Sequence, residues 1–132
     1  MVALSFKTRF APRIIAREKR HTIRAVRKRP IVVGEKLQLY TGMRTRHCRL
    51  IGTAQCTAAP WITIDFVSQA IMIQGHPSIR TAAKLDAFAV LDGFRDWADM
   101  RRFWQKPGTE VQVFSGVMIR WGSTFRPAEA AL

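Results

Sequence analysis

The sequence lacks the features that mark membrane proteins and disulfide-stapled folds. No run in its 132 residues approaches the roughly 18 consecutive apolar residues that a membrane-spanning helix needs. Only two cysteines are present, Cys48 and Cys56, which is too few for a disulfide scaffold. We therefore expect a soluble, unprocessed protein of the reducing cytoplasm with no membrane partner.

Recognisable metal and phosphate-loop motifs are also missing. The nearest approach to a metal site is His47-Cys48 with Cys56, but seven residues separate the two cysteines. Structural zinc pairs are usually separated by about two to four residues. No glycine-rich phosphate loop occurs, and the histidines accompany no serine elbow or cysteine motif. These absences lead us to expect no metal and no cofactor.

Acidic residues are scarce, and the resulting positive charge is unevenly distributed. The chain has 22 Lys and Arg against 9 Asp and Glu, a formal net charge of +13. Fourteen of the basic residues lie between Lys7 and Arg49, where the only acids are Glu18 and Glu35. Such a field concentrates polyanions, most commonly the phosphates of nucleic acids. A solvated charged face is the alternative, and an anionic membrane surface is disfavoured because no long amphipathic helix accompanies the charge.

The length and the apolar pattern predict one domain over residues 1–132, with a core at about 6–121 and a frayed tail at 126–132. The predicted strands are Val2–Phe6, Thr22–Ile23, Lys36–Tyr40, Cys48–Ala59, Trp61–Phe66 and Val111–Trp121. The predicted helices are Ala11–Arg17 and two helices within 84–104 that separate at Gly93. Five to six short strands with inserted helices indicate an α+β protein built on a small, partly closed β-barrel.

Three segments carry a resemblance to a known family: Ile15 to Arg24, Val33 to Tyr40, and Leu91 to Phe94 followed by Phe103-Trp104. In their order and separation they resemble the ASCH domain family, a branch of the PUA-like β-barrels. The likeness runs from about Phe6 to Trp121. It implies a compact PUA-like barrel with a central cleft, and a function in binding RNA or in handling modified nucleosides.

Small bacterial ASCH proteins include amidohydrolases that remove the acyl group from the exocyclic amine of cytidine, as in N(4)-acetylcytidine. The resemblance implies Lys19 as proton acceptor, Thr22 as nucleophile and Asp92 as proton donor. The resembling enzymes carry glutamate where this chain has Asp92, which is one methylene shorter. A proton donor must hold its proton, so we expect an apolar wall of Phe94 and Trp97 to raise the pKa of Asp92.

Further residues are candidates for contacting substrate or RNA. Arg24 is expected to hold the pyrimidine carbonyl or an oxyanion, and Tyr40 to stack on a base, with barrel packing as its alternative role. The expected phosphate contacts are Arg27, Arg29, Arg44 and Arg46. The expected partner is a modified nucleoside or RNA. Three functions stay open: the amidohydrolase, a non-catalytic RNA-binding module of ASCH or PUA-like type, and an RNA-processing nuclease that uses the same basic cleft.

Overall fold

A computed structural model describes residues 1–128 of the chain. Its strands are β1 (Val2–Phe6), β2 (His21–Arg24), β3 (Lys36–Thr41), β4 (Arg49–Gln55), β5 (Trp61–Asp65), β6 (Ala70–Ile73), β7 (Val113–Arg120) and β8 (Arg126–Pro127). Its helices are α1 (Ala11–Ile15), α2 (Ala82–Leu91) and α3 (Trp97–Trp104), with a 3-10 turn at Thr8–Phe10 before α1. The predicted α+β class is confirmed. None of the helices in residues 1–128 is long and apolar enough to cross a membrane.

The described strands pair into two four-stranded sheets. The first has the order β1-β3-β4-β8, in which β1 runs parallel to β3, and the second has the order β2-β7-β5-β6. Alternating apolar residues give each sheet one buried face, as in β3, where Leu37 and Leu39 are buried and paired with Val2 and Leu4 of β1. The two buried faces and the helices share one apolar core.

The strand count and the tail differ from the prediction: residues 1–128 contain eight strands, where five to six were expected. The first additional strand, β6, pairs with β5, and its four residues are all apolar, so they show no alternation that would identify a strand. The second, β8, consists of two residues that pair with Gly52 and Thr53 of β4. Residues 126 and 127, expected in a frayed tail, are therefore held by long-range pairing, and residues 129–132 of that tail lie outside the described residues.

The break between α2 and α3 lies where it was predicted. Helix α2 begins after Thr81, whose side chain accepts a hydrogen bond from the Lys84 amide, and it ends at Leu91 with Asp92 as its C-cap. Gly93 follows with a φ of +98°, a left-handed conformation that glycine adopts without strain. The chain then continues to Asp96, which caps α3. This turn brings the carboxylate at the end of α2 to the start of β2.

Candidate active site

A cleft of about 580 Å³ opens between the end of β1, the 3-10 turn, β2 and the end of α2. Lys19, Thr22 and Asp92 all line it, although Asp92 is 73 residues from Lys19 in sequence. Aromatic rings form much of the remaining wall: Phe6, Phe10, Phe94, Phe103 and Trp104. The structure therefore brings the three expected catalytic residues into one cleft.

Lys19 and Asp92 form a buried ion pair at the base of this cleft. Lys19 Nζ donates to Asp92 Oδ1 over 2.8 Å and to the Asp92 main-chain oxygen over 2.6 Å. The two residues are only 3% and 4% exposed. The ammonium also lies 5.1 Å from the centre of the Phe10 ring, a favourable cation–π distance. Each charge is thus fixed by the other and isolated from bulk water.

Gly93 is required for this geometry for a second reason besides its backbone conformation. A Cβ at position 93 would lie 2.8 Å from Phe10 Cδ1 and 3.0 Å from Lys19 Cδ. Both distances are shorter than ordinary van der Waals contact. The absence of a side chain at Gly93 therefore leaves the space in which Lys19 lies beside the Asp92 carboxylate.

Thr22 is buried on β2 and is held by Arg24 from the same strand. Arg24 Nε donates to Thr22 Oγ1 over 3.0 Å, and Arg24 Nη2 donates to the Ser5 carbonyl over 2.6 Å. The guanidinium also lies 4.9 Å from the centre of the Phe6 ring. Because Thr22 Oγ1 accepts from a cation, its own proton is free to be donated, and negative charge developing on the oxygen is stabilised.

The protonation of the pair differs from what was expected for Asp92. Burial alone would raise the pKa of Asp92, but Lys19 and His21 together outweigh it and hold the pKa below the usual value. Burial lowers the pKa of Lys19, against the opposing effect of Asp92. The expected apolar wall is also incomplete, since Phe94 lines the cleft whereas Trp97 packs against Phe66 instead. In the free protein Asp92 is therefore ionised.

His21 is the site residue that the sequence analysis missed. The residue is 6% exposed, and its Nε2 lies 3.1 Å from Asp92 Oδ1. Within the described residues Nε2 has no hydrogen-bond partner of good geometry. The available signal was its place between Lys19 and Thr22, at the first residue of β2.

The other predicted binding residues lie outside the cleft. Arg27 borders a separate groove of about 260 Å³, and Arg29 pairs with Glu35 over 3.0 Å. Tyr40 is half-buried on β3 and does not line the cleft. Arg44 and Arg46 are exposed on the β3–β4 connection. That connection begins with Gly42 and Met43, which do line the cleft, so the two arginines belong to a loop that borders it.

His47, Cys48 and Cys56, the nearest approach to a metal motif in the sequence, form no metal cluster among the described residues. Within residues 1–128, no three His, Cys, Asp or Glu side chains are grouped so that they would hold a metal ion. Cys48 is exposed and Cys56 is buried, and both are free thiols. Burial raises the pKa of Cys56, which keeps this thiol protonated.

Comparison with family models, with curated proteins and with solved structures gave no match to this chain.

Proposed function

We propose that the protein is an amidohydrolase of the ASCH type that removes the acyl group from N(4)-acylated cytidine. The observation that carries the proposal is the buried Lys19–Asp92 pair, which shares one aromatic-walled cleft with Thr22. A PUA-like barrel around that cleft is part of the proposal, with the two sheets as its walls. The proposed compartment is the cytoplasm.

The ion pair supports acid and base chemistry because its two members are close and desolvated. Transfer of one proton across the 2.8 Å contact converts the charged pair into a neutral amine and a neutral carboxylic acid. Desolvation disfavours the charged forms of both groups and so lowers the cost of this transfer. The neutral pair contains a base at Lys19 and an acid at Asp92 at the same time, although Asp92 is ionised at rest.

Acyl transfer then follows from the placement of Thr22. The Thr22 oxygen forms a bond to the acyl carbon as its proton passes to Lys19. The carbon–nitrogen bond breaks as the Asp92 proton passes to the exocyclic nitrogen, which leaves as the amine of cytidine. Water then attacks the threonine ester: Asp92, which is ionised again, takes one proton from the water as the oxygen bonds to the acyl carbon. The carbon–oxygen bond to Thr22 breaks as Lys19 returns a proton to the departing Thr22 oxygen. Arg24 provides positive charge beside Thr22 Oγ1, on which negative charge develops when it loses its proton and again when it departs from the acyl carbon.

The cleft also suits the size and the character of a pyrimidine nucleoside. Its volume of about 580 Å³ lies within the range of small-molecule sites, about 300–1,000 Å³. Phe103 and Trp104 present aromatic surface on which a pyrimidine can stack. This surface explains how an uncharged substrate binds without the arginines that lie outside the cleft.

RNA binding is the second candidate function, and the β3–β4 connection favours it. Arg44 and Arg46 are exposed beside Gly42 and Met43 of the cleft wall. An acylated cytidine within an RNA strand would place its flanking phosphates outside the cleft, where these arginines provide counter-charge. A non-catalytic RNA-binding module would use the same loop without the chemistry at Thr22, and a nuclease would cut the phosphate backbone there.

The test is incubation of the purified protein with N(4)-acetylcytidine, followed by absorbance and by chromatography of cytidine. We expect deacetylation by the wild type and its loss, by at least about 100-fold, in Thr22→Val, because the nucleophile is removed. Thr63→Val is the matched control, since Thr63 lies on β5 outside the cleft. Absence of cytidine with the folded wild type would refute the proposal, and cleavage of an oligoribonucleotide would instead indicate the nuclease.

A further inference from the structure

A second cavity, of about 820 Å³, lies against the same strand as the cleft but is lined by a different set of residues. His21 lines this second cavity, whereas its neighbour Thr22 lines the cleft. Phe88 and Met118 form part of the apolar wall around His21, and Arg120 lies on β7 directly opposite it. Strand β2 thus presents two successive side chains to two different cavities.

His21 connects the second cavity with the buried ion pair. Its Nε2 is 3.1 Å from Asp92 Oδ1, the oxygen that also accepts from Lys19. The ring stacks on Phe88 at a centroid distance of 5.6 Å and an angle of 29°, which fixes its plane. Asp92 itself lines the cleft and is 4% exposed, so the imidazole lies between this carboxylate and the second cavity.

The proposed reaction needs such a connection because it releases a proton. Hydrolysis of an N-acyl cytidine consumes one water and yields a carboxylic acid and cytidine. The exocyclic amine of cytidine is conjugated with its ring and stays neutral at neutral pH, while the acid ionises. If the product acid ionises in the cleft and gives its proton to the pair, each turnover leaves one more proton at the Lys19–Asp92 pair than was present at its start. That pair is nearly inaccessible to bulk water.

We propose that His21 is a proton-relay residue that carries this proton from Asp92 to the second cavity, an inference that rests on the proposed amidohydrolase function. Nε2 accepts the proton from Asp92, and Nδ1 releases one to water in the second cavity. Before the next turnover, a flip of the ring about its Cβ–Cγ bond and proton exchange with water return the imidazole to the tautomer that is protonated at Nδ1. The cleft then serves for substrate and products, and the second cavity serves for the proton. The product carboxylate leaves without having to carry the proton out with it.

The charges around His21 suit a relay that is neutral at rest. The groups that face it are Asp92 at the end of α2, Lys19 ahead of β2 and Arg120 on β7. Burial lowers the pKa of His21, the two cations add to this effect, and Asp92 opposes it. Since the unperturbed value is about 6.5, the imidazole is neutral at pH 7 and is free to accept a proton.

The test compares two variants that differ in the space they leave. His21→Ala removes the relay and leaves a hole that free imidazole can enter from the second cavity. His21→Phe removes both nitrogens but keeps a ring on Phe88 and leaves no hole. Turnover of N(4)-acetylcytidine is measured at fixed pH and ionic strength, with and without added imidazole, and His47→Gln on the exposed β3–β4 connection is the control.

We expect kcat to fall by about 10- to 100-fold in both variants with little change in KM. This is at or below the low end of the roughly 100- to 10,000-fold that positioned proton-transfer groups contribute. Imidazole should restore the alanine variant, and leave the phenylalanine variant, the wild type and His47→Gln unchanged. If only the alanine variant folds, restoration of its turnover by imidazole supports the relay. If only the phenylalanine variant folds, its turnover must be reduced and must stay reduced in imidazole. Wild-type turnover in either folded variant, or an alanine variant that is impaired and unresponsive to imidazole, would overturn the relay alone. An inactive wild type would overturn the proposed function and the relay together.

Discussion

Separate and joint removal of the charges of Lys19 and Asp92 should show strong energetic coupling. The variants are Lys19→Met, Asp92→Asn and the double variant that combines them. In each single variant one buried group loses its partner 2.8 Å away, and the remaining charge has almost no access to solvent. Breaking a buried ion pair in this way costs about 3–5 kcal/mol. That is a large share of the roughly 5–15 kcal/mol by which a domain is stable.

The double variant should cost little more than one single variant, because no unpaired charge is then left in the core. Independent effects would add to about 6–10 kcal/mol. The assay is urea denaturation followed by tryptophan fluorescence, with the midpoint and slope compared across the four proteins. The cost of Asp92→Asn should also shrink at high pH, where the unpaired Lys19 loses its proton and its charge. The description of the pair would be refuted if each single variant lost less than about 1 kcal/mol of unfolding free energy and the double variant lost the sum of the two.

Three further predictions concern the groups around this pair. Gly93→Ala should lower stability by about 2–4 kcal/mol, because it adds a left-handed alanine and a contact with Phe10; equal urea midpoints would contradict this. The lowered pKa of His21 means that the unfolded chain takes up a proton first as the pH falls below about 6.5, so stability should drop from pH 7 toward pH 5. In His21→Phe that part of the drop should disappear from the Tm, and an unchanged pH dependence would argue against a buried neutral imidazole. For single-stranded RNA, replacing Arg44 and Arg46 by glutamine should flatten the log–log salt dependence of binding by about 1.4, and an unchanged slope would place the phosphates elsewhere.

Local patterns carried much of the fold. Alternation of apolar residues located β3 and β5, since in each strand the apolar side chains face one shared core. Gly93 marked the break between α2 and α3 because a left-handed residue ends a helix. Strand β8 could not be predicted from a local pattern, because its two residues form a strand only by pairing with β4.

The sequence likewise predicted some features of the candidate site and not others. The spacing of Lys19 and Thr22, together with the resemblance, indicated that both share a cleft with Asp92, and the structure places them there. The charge state of Asp92 was not predictable from the sequence, since it depends on Lys19 and His21, which reach it only through the turn at Gly93. The clustering of arginines along the chain also did not reveal which of them border the cleft. Position in the sequence does not tell on which surface of the fold a charged side chain lies.

The most direct test of the central claim is the mass of the intact protein after rapid acid quenching of its reaction with N(4)-acetylcytidine. The proposed chemistry predicts a covalent species heavier than the free protein by one acetyl group, with the modification on the peptide that contains Thr22. The species should be absent in Thr22→Val and present in Thr63→Val. Steady formation of cytidine with no acetylated protein at any quench time, or with the acetyl group on a different residue, would contradict Thr22 as the nucleophile.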